Sequence, residues 1–334
     1  MSTADQALRR ARRWCGARRR GQFALTVGLV TLLTGACGAL LLAPNWALPT
    51  IRADQPSSPQ RQANSDPRLQ AVRGLMEPFG PITAVRAAVG DGPDALVVGH
   101  AAQRAEMAVL AAELGPATAS ISELWGTQWA RSGLVVVASN PSEFAALLRS
   151  PGLVPGEVAA AAVADPFAAG AQPTGQRVVF GPDAGRRLSP DGLRTILRHE
   201  LTHVATRAAT VDGAPQWLLE GFAEYAAHRG ARHRFAEIAP TLSARLRAGA
   251  SPAELPADPA FTGPDAAAVY EQAWSVCAFV AETYGEPRLV QLYRALAAGK
   301  QTPDTEDDIL RTVLGAGRTE FTAAWRAWLG AESA

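Results

Sequence analysis

Hydrophobic and polar positions divide the chain into stretches of different character. Phe23–Ala43, "FALTVGLVTLLTGACGALLLA", is twenty-one residues without a charge, long enough to span a bilayer as one helix. Pro44–Pro67 holds five prolines and no sustained apolar pattern, the composition of an extended, flexible stalk. From about Arg68 short apolar runs alternate with helical ones. "DALVVGH" (Asp94–His100), "GLVVVAS" (Gly133–Ser139) and "GQRVVFGPD" (Gly175–Asp183) predict strands. "AAQRAEMAVLAAELGPATASISELWG" predicts one long or broken helix, and "PSEFAALLRS" a short one. Beyond Tyr225 the apolar residues of "AAAVYEQAWSVCAFVAETYG", "PRLVQLYRALAAG", "TEDDILRTVLG" and "TEFTAAWRAWLG" recur every three or four positions. The pattern predicts an α+β body, with a small strand-containing N-terminal lobe and a helical C-terminal lobe, preceded by one transmembrane helix. No internal repeat is visible.

Charge sharpens this division. Seven arginines (Arg9, Arg10, Arg12, Arg13, Arg18, Arg19 and Arg20) and one acid, Asp5, fall in the first twenty-two residues, so that segment carries 7 − 1 = +6. The whole chain carries +1, which leaves 1 − 6 = −5 for the rest. The mildly alkaline pI therefore belongs to the tail, and the body has no basic field suited to nucleic acid. Arginines ahead of an apolar span hold the N-terminus in the cytoplasm. The expected order is a cytoplasmic Arg-rich tail (1–22), an anchor (23–43), an external Pro-rich stalk (44–67) and an extracytoplasmic body (68–332), making a single-pass protein of the cell membrane. The small residues "TGACGA" also suit a cleavable signal peptide, but hydrophobicity resumes through "LLLA", which favours the anchor. The body has one cysteine, Cys277, inside a helical pattern, so it builds no internal disulfide. High alanine, arginine and glycine usage fits a bacterial, GC-rich source.

The candidate chemistry lies in "RHELTHVATRAATVDGAPQWLLEGFAEY", Arg198–Tyr225. Ser189 is a good N-cap with Pro190 at the first helical position, and Leu193, Ile196, Leu197, Leu201 and Val204 follow at helical spacing. His199 and His203, four apart, share one face about one 5.4 Å turn from each other. At that separation both imidazoles can reach one zinc at ~2.0–2.1 Å. Glu200 projects to the side where an activated water would lie. A second helix begins at Pro215 and sets Glu220 seventeen residues beyond His203, so a carboxylate on an antiparallel neighbour can complete a three-ligand site. Glu224, one turn further, is either that third ligand or the acceptor that orients a ligand histidine. Trp217 and Phe222 on the same helix, and Cys277, suit the core.

"HELTH" followed by "WLLEGFAEY" resembles the gluzincin zinc metallopeptidases, and most of all the bacterial peptidase MA-like domain, whose second motif reads Trp-Leu-x-Glu-Gly-x-Ala-Glu-Tyr. The resemblance extends over roughly Asp94–Leu329 and implies a zincin-like fold. It also implies a Zn2+ cofactor held by His199, His203 and Glu220, with Glu200 as general base. Through it Glu224 takes the orienting role, and Tyr270, fifty residues past Glu220, becomes the candidate donor to a developing oxyanion. A tyrosine among apolar helix neighbours also suits the core, and His228 and His233 are rival donors. No Gly-x-Met-Glu-Asn segment is present to grasp a free amine, so an aminopeptidase assignment has no support. The expectation is a membrane-anchored hydrolase that cleaves a peptide or protein substrate. The competing class is a catalytically silent, peptidase-derived binding or scaffold module of the envelope. A binding module has no use for Glu200, which weighs against it.

Overall fold

The computed structural model describes residues 66–332 apart from 91, 153, 155, 157, 168–170 and 232. The tail, the anchor at Phe23–Ala43 and nearly all of the stalk lie outside the described residues. Among the described residues no helix is long and apolar enough to cross a membrane.

The body opens with α1 (Pro67–Met76), whose N-cap Asp66 accepts the backbone N–H of Arg68. A five-stranded sheet follows: β1 (Ile82–Ala87), β2 (Ala95–His100), β3 (Leu134–Val137), β4 (Ala160–Val163) and β5 (Arg177–Phe180). Its order is β1-β2-β3-β5-β4. The inner three strands are parallel, with Val97 opposite Val135 and Val135 opposite Val178. Strands β1 and β4 run antiparallel at the two edges. The parallel crossovers are α2 (Arg104–Trp125), between β2 and β3, and the segment containing α3 (Pro141–Leu148), between β3 and β5.

The period-2 alternation of the strands decides what each face packs against. Leu96, Val98, Val136 and Val179 meet Leu69, Val72 and Met76 of α1 and Phe144 and Leu147 of α3. Val97, Val135, Val137, Val178 and Phe180 point the other way, into the large core shared with α2 and the helical lobe. Both faces are covered, which is why the inner strands read as unbroken apolar runs. At the end of β2 a buried polar knot joins the two lobe elements: His100 Nδ1 lies 3.0 Å from the carbonyl of Pro81 and Nε2 lies 2.8 Å from Glu143 Oε1. Glu143 Oε2 accepts the backbone N–H and the hydroxyl of Ser139, each at 2.6 Å.

The helical lobe comprises α4 (Pro190–Thr206), α5 (Gln216–His228), α6 (Pro240–Arg247), α7 (Ala266–Tyr284), α8 (Glu286–Leu296), α9 (Pro303–Leu314) and α10 (Arg318–Glu332). Trp217, Phe222, Cys277 and Trp325 are buried in it. Charged pairs fasten the layers: Arg198 Nε donates to Glu113 of α2 at 2.6 Å, and Arg229 Nε donates to Glu286 of α8 at 2.6 Å. Burial pushes the Cys277 thiol pKa up, so this side chain acts as a small apolar group.

Candidate metal centre

Helix α4 forms where its sequence expects it. Ser189 Oγ accepts the N–H of Gly192 at 3.1 Å, Pro190 occupies the first turn, and Leu193, Leu197, Leu201 and Val204 are buried. His199 and His203 consequently emerge on one side. The chain then reverses through a short turn in which Gly213 takes φ 87°, a value that favours glycine, and α5 returns alongside α4. What sets the approach of α5 to the next helix is Gly221. A Cβ there would stand 2.3 Å from the carbonyl oxygen of Ala273 and 3.0 Å from Cys277 Sγ, closer than packed atoms come. The glycine after Glu220 therefore lets α7 press against α5, bringing Tyr270 to the same place.

The three expected ligands meet there. His199 Nε2 and His203 Nε2 are 3.0 Å apart, Glu220 Oε2 is 3.3 Å from the first and 3.5 Å from the second. Ligand atoms held ~2.0–2.1 Å from a tetrahedral zinc lie about 3.3–3.4 Å from one another, so two imidazole nitrogens and one carboxylate oxygen fit this ion in kind and in spacing. His199 is 7% exposed, while Glu220 and His203 open towards the cleft. Burial works against a charge on His199, but Glu224 and then Glu220 outweigh it and hold its pKa well above the ordinary histidine range. Burial likewise opposes the charge of Glu220, and His203 and His199 reverse the balance and drive its pKa far down. The arrangement is therefore a carboxylate and two ring nitrogens that stabilise positive charge between them.

Each remaining residue has a distinct place. Glu224 Oε1 lies 3.1 Å from His199 Nδ1, close enough for an ion pair though not aligned as a hydrogen bond. This is the nitrogen turned away from the ligand cluster, so Glu224 stands behind His199, outside the ligand set. Its other oxygen is 3.7 Å from His228 Nε2. Burial lowers the His228 pKa, against the pull of Glu224 and with the help of His233. Glu200, 8% exposed, is beside the cluster, and its Oε2 accepts the backbone N–H of Ala162 on β4 at 2.7 Å. The ring of Tyr270 sits 6.4 Å from that of His199 and 5.2 Å from that of Phe261. Burial first, then Glu220, Glu224 and Glu200, raise the pKa of Tyr270, which keeps the hydroxyl protonated. Its ring packs against the core and its hydroxyl lies among the carboxylates. His233 stacks near His228, with ring centroids 6.1 Å apart.

Two contributors escaped the sequence reading. Ala162 acts through its backbone on a four-residue alanine-rich strand, which carries no side-chain signal. Gly221 was visible only as part of a motif, and the contact that requires it exists only in three dimensions.

Residues 188–331 match the model of the Peptidase MA superfamily. Residues 152–211 also match the eCIS core domain. The chain is similar to a solved two-domain M1 zinc metallopeptidase mutant bound to L-arginine, and to an M1 zinc metallopeptidase mutant from Deinococcus radiodurans. Each likeness is at 16% identity with a TM-score of 0.47, covering 75% of this chain and 52% of the other. The chain thus spans about half the length of those structures. No curated protein matches it.

Proposed function

We propose that the peptidase MA-like domain is a zinc-dependent peptidase, with His199, His203 and Glu220 as the metal ligands. The observation that carries this reading is the convergence of those three donors at tetrahedral spacing with a carboxylate, Glu200, beside them and outside the set. When bound, zinc supplies Lewis-acid activation of water and of the scissile carbonyl. Glu200 accepts the proton of the attacking water and passes it to the leaving nitrogen. The N–H of Ala162 holds one of its oxygens in place, leaving the other for the proton. Glu224 fixes the ring of His199 from behind, and Tyr270, kept protonated by its surroundings, donates to the developing oxyanion. Strand β4 is a sheet edge, and by antiparallel alternation the carbonyl of Ala162 faces outward with its N–H. An extended peptide can pair along this edge and pass over the cluster. The arginine-rich tail and the apolar Phe23–Ala43 segment support a membrane-anchored, extracytoplasmic placement, and survival of the body when protease is added to intact spheroplasts would refute that placement.

Glu200→Gln tests the chemistry. The amide keeps the shape of the side chain and its acceptor for Ala162, but takes no proton. The variant is expected to be folded and zinc-loaded, with peptidase activity on unfolded protein lowered about 10²–10⁴-fold. Full activity in this variant would remove Glu200 from the mechanism.

A further inference from the structure

Beside the metal cluster, towards the N-terminal end of α4, a hollow extends between α4, α5, the approach to α6, and α7. Ile196, Ile238 and Trp274 give it apolar walls, and Glu224, Glu237 and Glu271 give it carboxylates. No arginine or lysine lines it. Glu271 is the unusual member. It is 4% exposed, and although its Oε2 accepts the N–H of Leu242 at 2.6 Å, its Oε1 has no hydrogen-bond partner. Thr241 lies near enough to favour the charged form without meeting hydrogen-bond geometry at Oε1. Arg245 on α6, whose charge reaches Glu271, is directed at Asp265, 3.5 Å away. Buried polar atoms without partners are rare and call for a reason. A cap on α6 needs only one of the two oxygens.

We propose that this hollow is a specificity pocket for a substrate residue with a long aliphatic stem and a cationic tip, arginine or lysine, flanking the scissile bond, and that Glu271 Oε1 receives the cation. The inference rests on the peptidase reading above. The apolar walls suit the methylene stem, as amphipathic side chains require. The unpartnered carboxylate oxygen suits a guanidinium or ammonium donor, and a cation there would offset the burial that raises the Glu271 pKa. His199, Glu224 and Tyr270 line the same hollow, so a side chain that fills it belongs to a residue next to the bond over the cluster. A free α-amino group offers a cation too, but no stem to cover the walls.

The test compares peptides that differ at one flanking residue, arginine against its uncharged isostere citrulline, each with a free and an acetylated N-terminus. Wild type is expected to show a kcat/KM about tenfold to a hundredfold higher for arginine, the range of a hydrogen bond to a charged group, whether or not the terminus is acetylated. In Glu271→Gln the amide oxygen still accepts from Leu242, and the arginine to citrulline ratio is expected to fall towards one. The zinc-loaded Glu200→Gln protein gives a second readout, the ratio of Kd values for the same peptides by calorimetry, which stands even if no peptide is cleaved. Equal handling of arginine and citrulline by wild type, or a ratio that survives Glu271→Gln, would overturn the pocket. A preference that disappears on acetylation would reassign it to the α-amine, which also overturns the proposal. Loss of cleavage with the binding ratio intact would refute the peptidase reading and leave the pocket standing.

Discussion

Two histidine–glutamate clusters lie in this body, one buried and one open to a cleft, and they are built on opposite principles. At the end of β2, the Glu143 carboxylate receives His100 on one oxygen and Ser139 twice on the other, while the second ring nitrogen of His100 meets the Pro81 carbonyl. Every polar atom of that pair is satisfied by the protein itself, and Glu143 has no exposed surface. Between α4 and α5, by contrast, two ring nitrogens point at each other at 3.0 Å, and a carboxylate oxygen points at both. Three atoms able to bind a metal converge there, and their surroundings favour positive charge among them. Saturated contacts mark a structural pair, whereas convergent ligand atoms mark a place for a cation. Sequence spacing exposes only the second of these clusters, since His100 and Glu143 are far apart in the chain and their bond arises from the packing of α3 on β2.

Three alanine substitutions in one experiment can break this distinction. Glu220→Ala removes one corner of the donor triangle and is expected to abolish tight zinc binding. Glu224→Ala leaves the triangle intact but frees His199 on its far side, and is expected to cost about 10–100-fold in zinc affinity. Glu143→Ala should leave zinc affinity unchanged and lower stability by about 3 kcal/mol, because His100 and the Ser139 N–H keep their burial and lose their acceptor. Competitive zinc titration and denaturant unfolding of the metal-loaded proteins read the two effects separately. If Glu224→Ala lost more zinc than Glu220→Ala, the third ligand would have to be moved to Glu224. If Glu143→Ala released zinc, the two clusters would not be independent.

The same contrast explains what could be read from sequence. Helices α4 and α5 were legible because caps, helical spacing and ligand spacing all point to one answer: Ser189–Pro190 starts the first helix, and His199, Glu200 and His203 lie on it in fixed relation. The inner strands β2, β3 and β5 were legible as apolar runs of the length a buried strand needs. Strand β4 was not, since "AAAV" has low strand propensity and acquires its role from pairing with β5. Strand β1 is harder to read for a related reason, since Thr83 and Arg86 interrupt its apolar run at a sheet edge, and α1 because its short pattern follows directly on a proline-rich stretch. Long-range polar contacts were also beyond reach. Glu200 to Ala162, Glu271 to Leu242, and His100 to Glu143 each join segments whose proximity is a property of the finished fold.

The smallest expected effect sharpens the comparison through pH. Burial disfavours charge on His199, yet Glu224 and Glu220 raise its pKa well above the ordinary value of 6.5. A histidine whose folded pKa is raised contributes stability that is fully present below its unfolded pKa and lost as pH rises through the folded value. Metal-free protein is therefore expected to lose part of the contribution of this site above about pH 6.5, visible as a fall of about 2–4 °C in Tm. Zinc has the opposite dependence, because it needs the neutral ring and competes with protons. The difference in Tm between zinc-loaded and chelator-treated protein should accordingly widen as pH rises from 6 to 9. Glu224→Gln should flatten the metal-free slope, since it removes the leading charge that favours the imidazolium. Calorimetric scans across that window check the sign. A zinc increment that stays constant with pH would mean that no proton competes with the metal at His199, and the reading of this cluster as one that holds positive charge would fail.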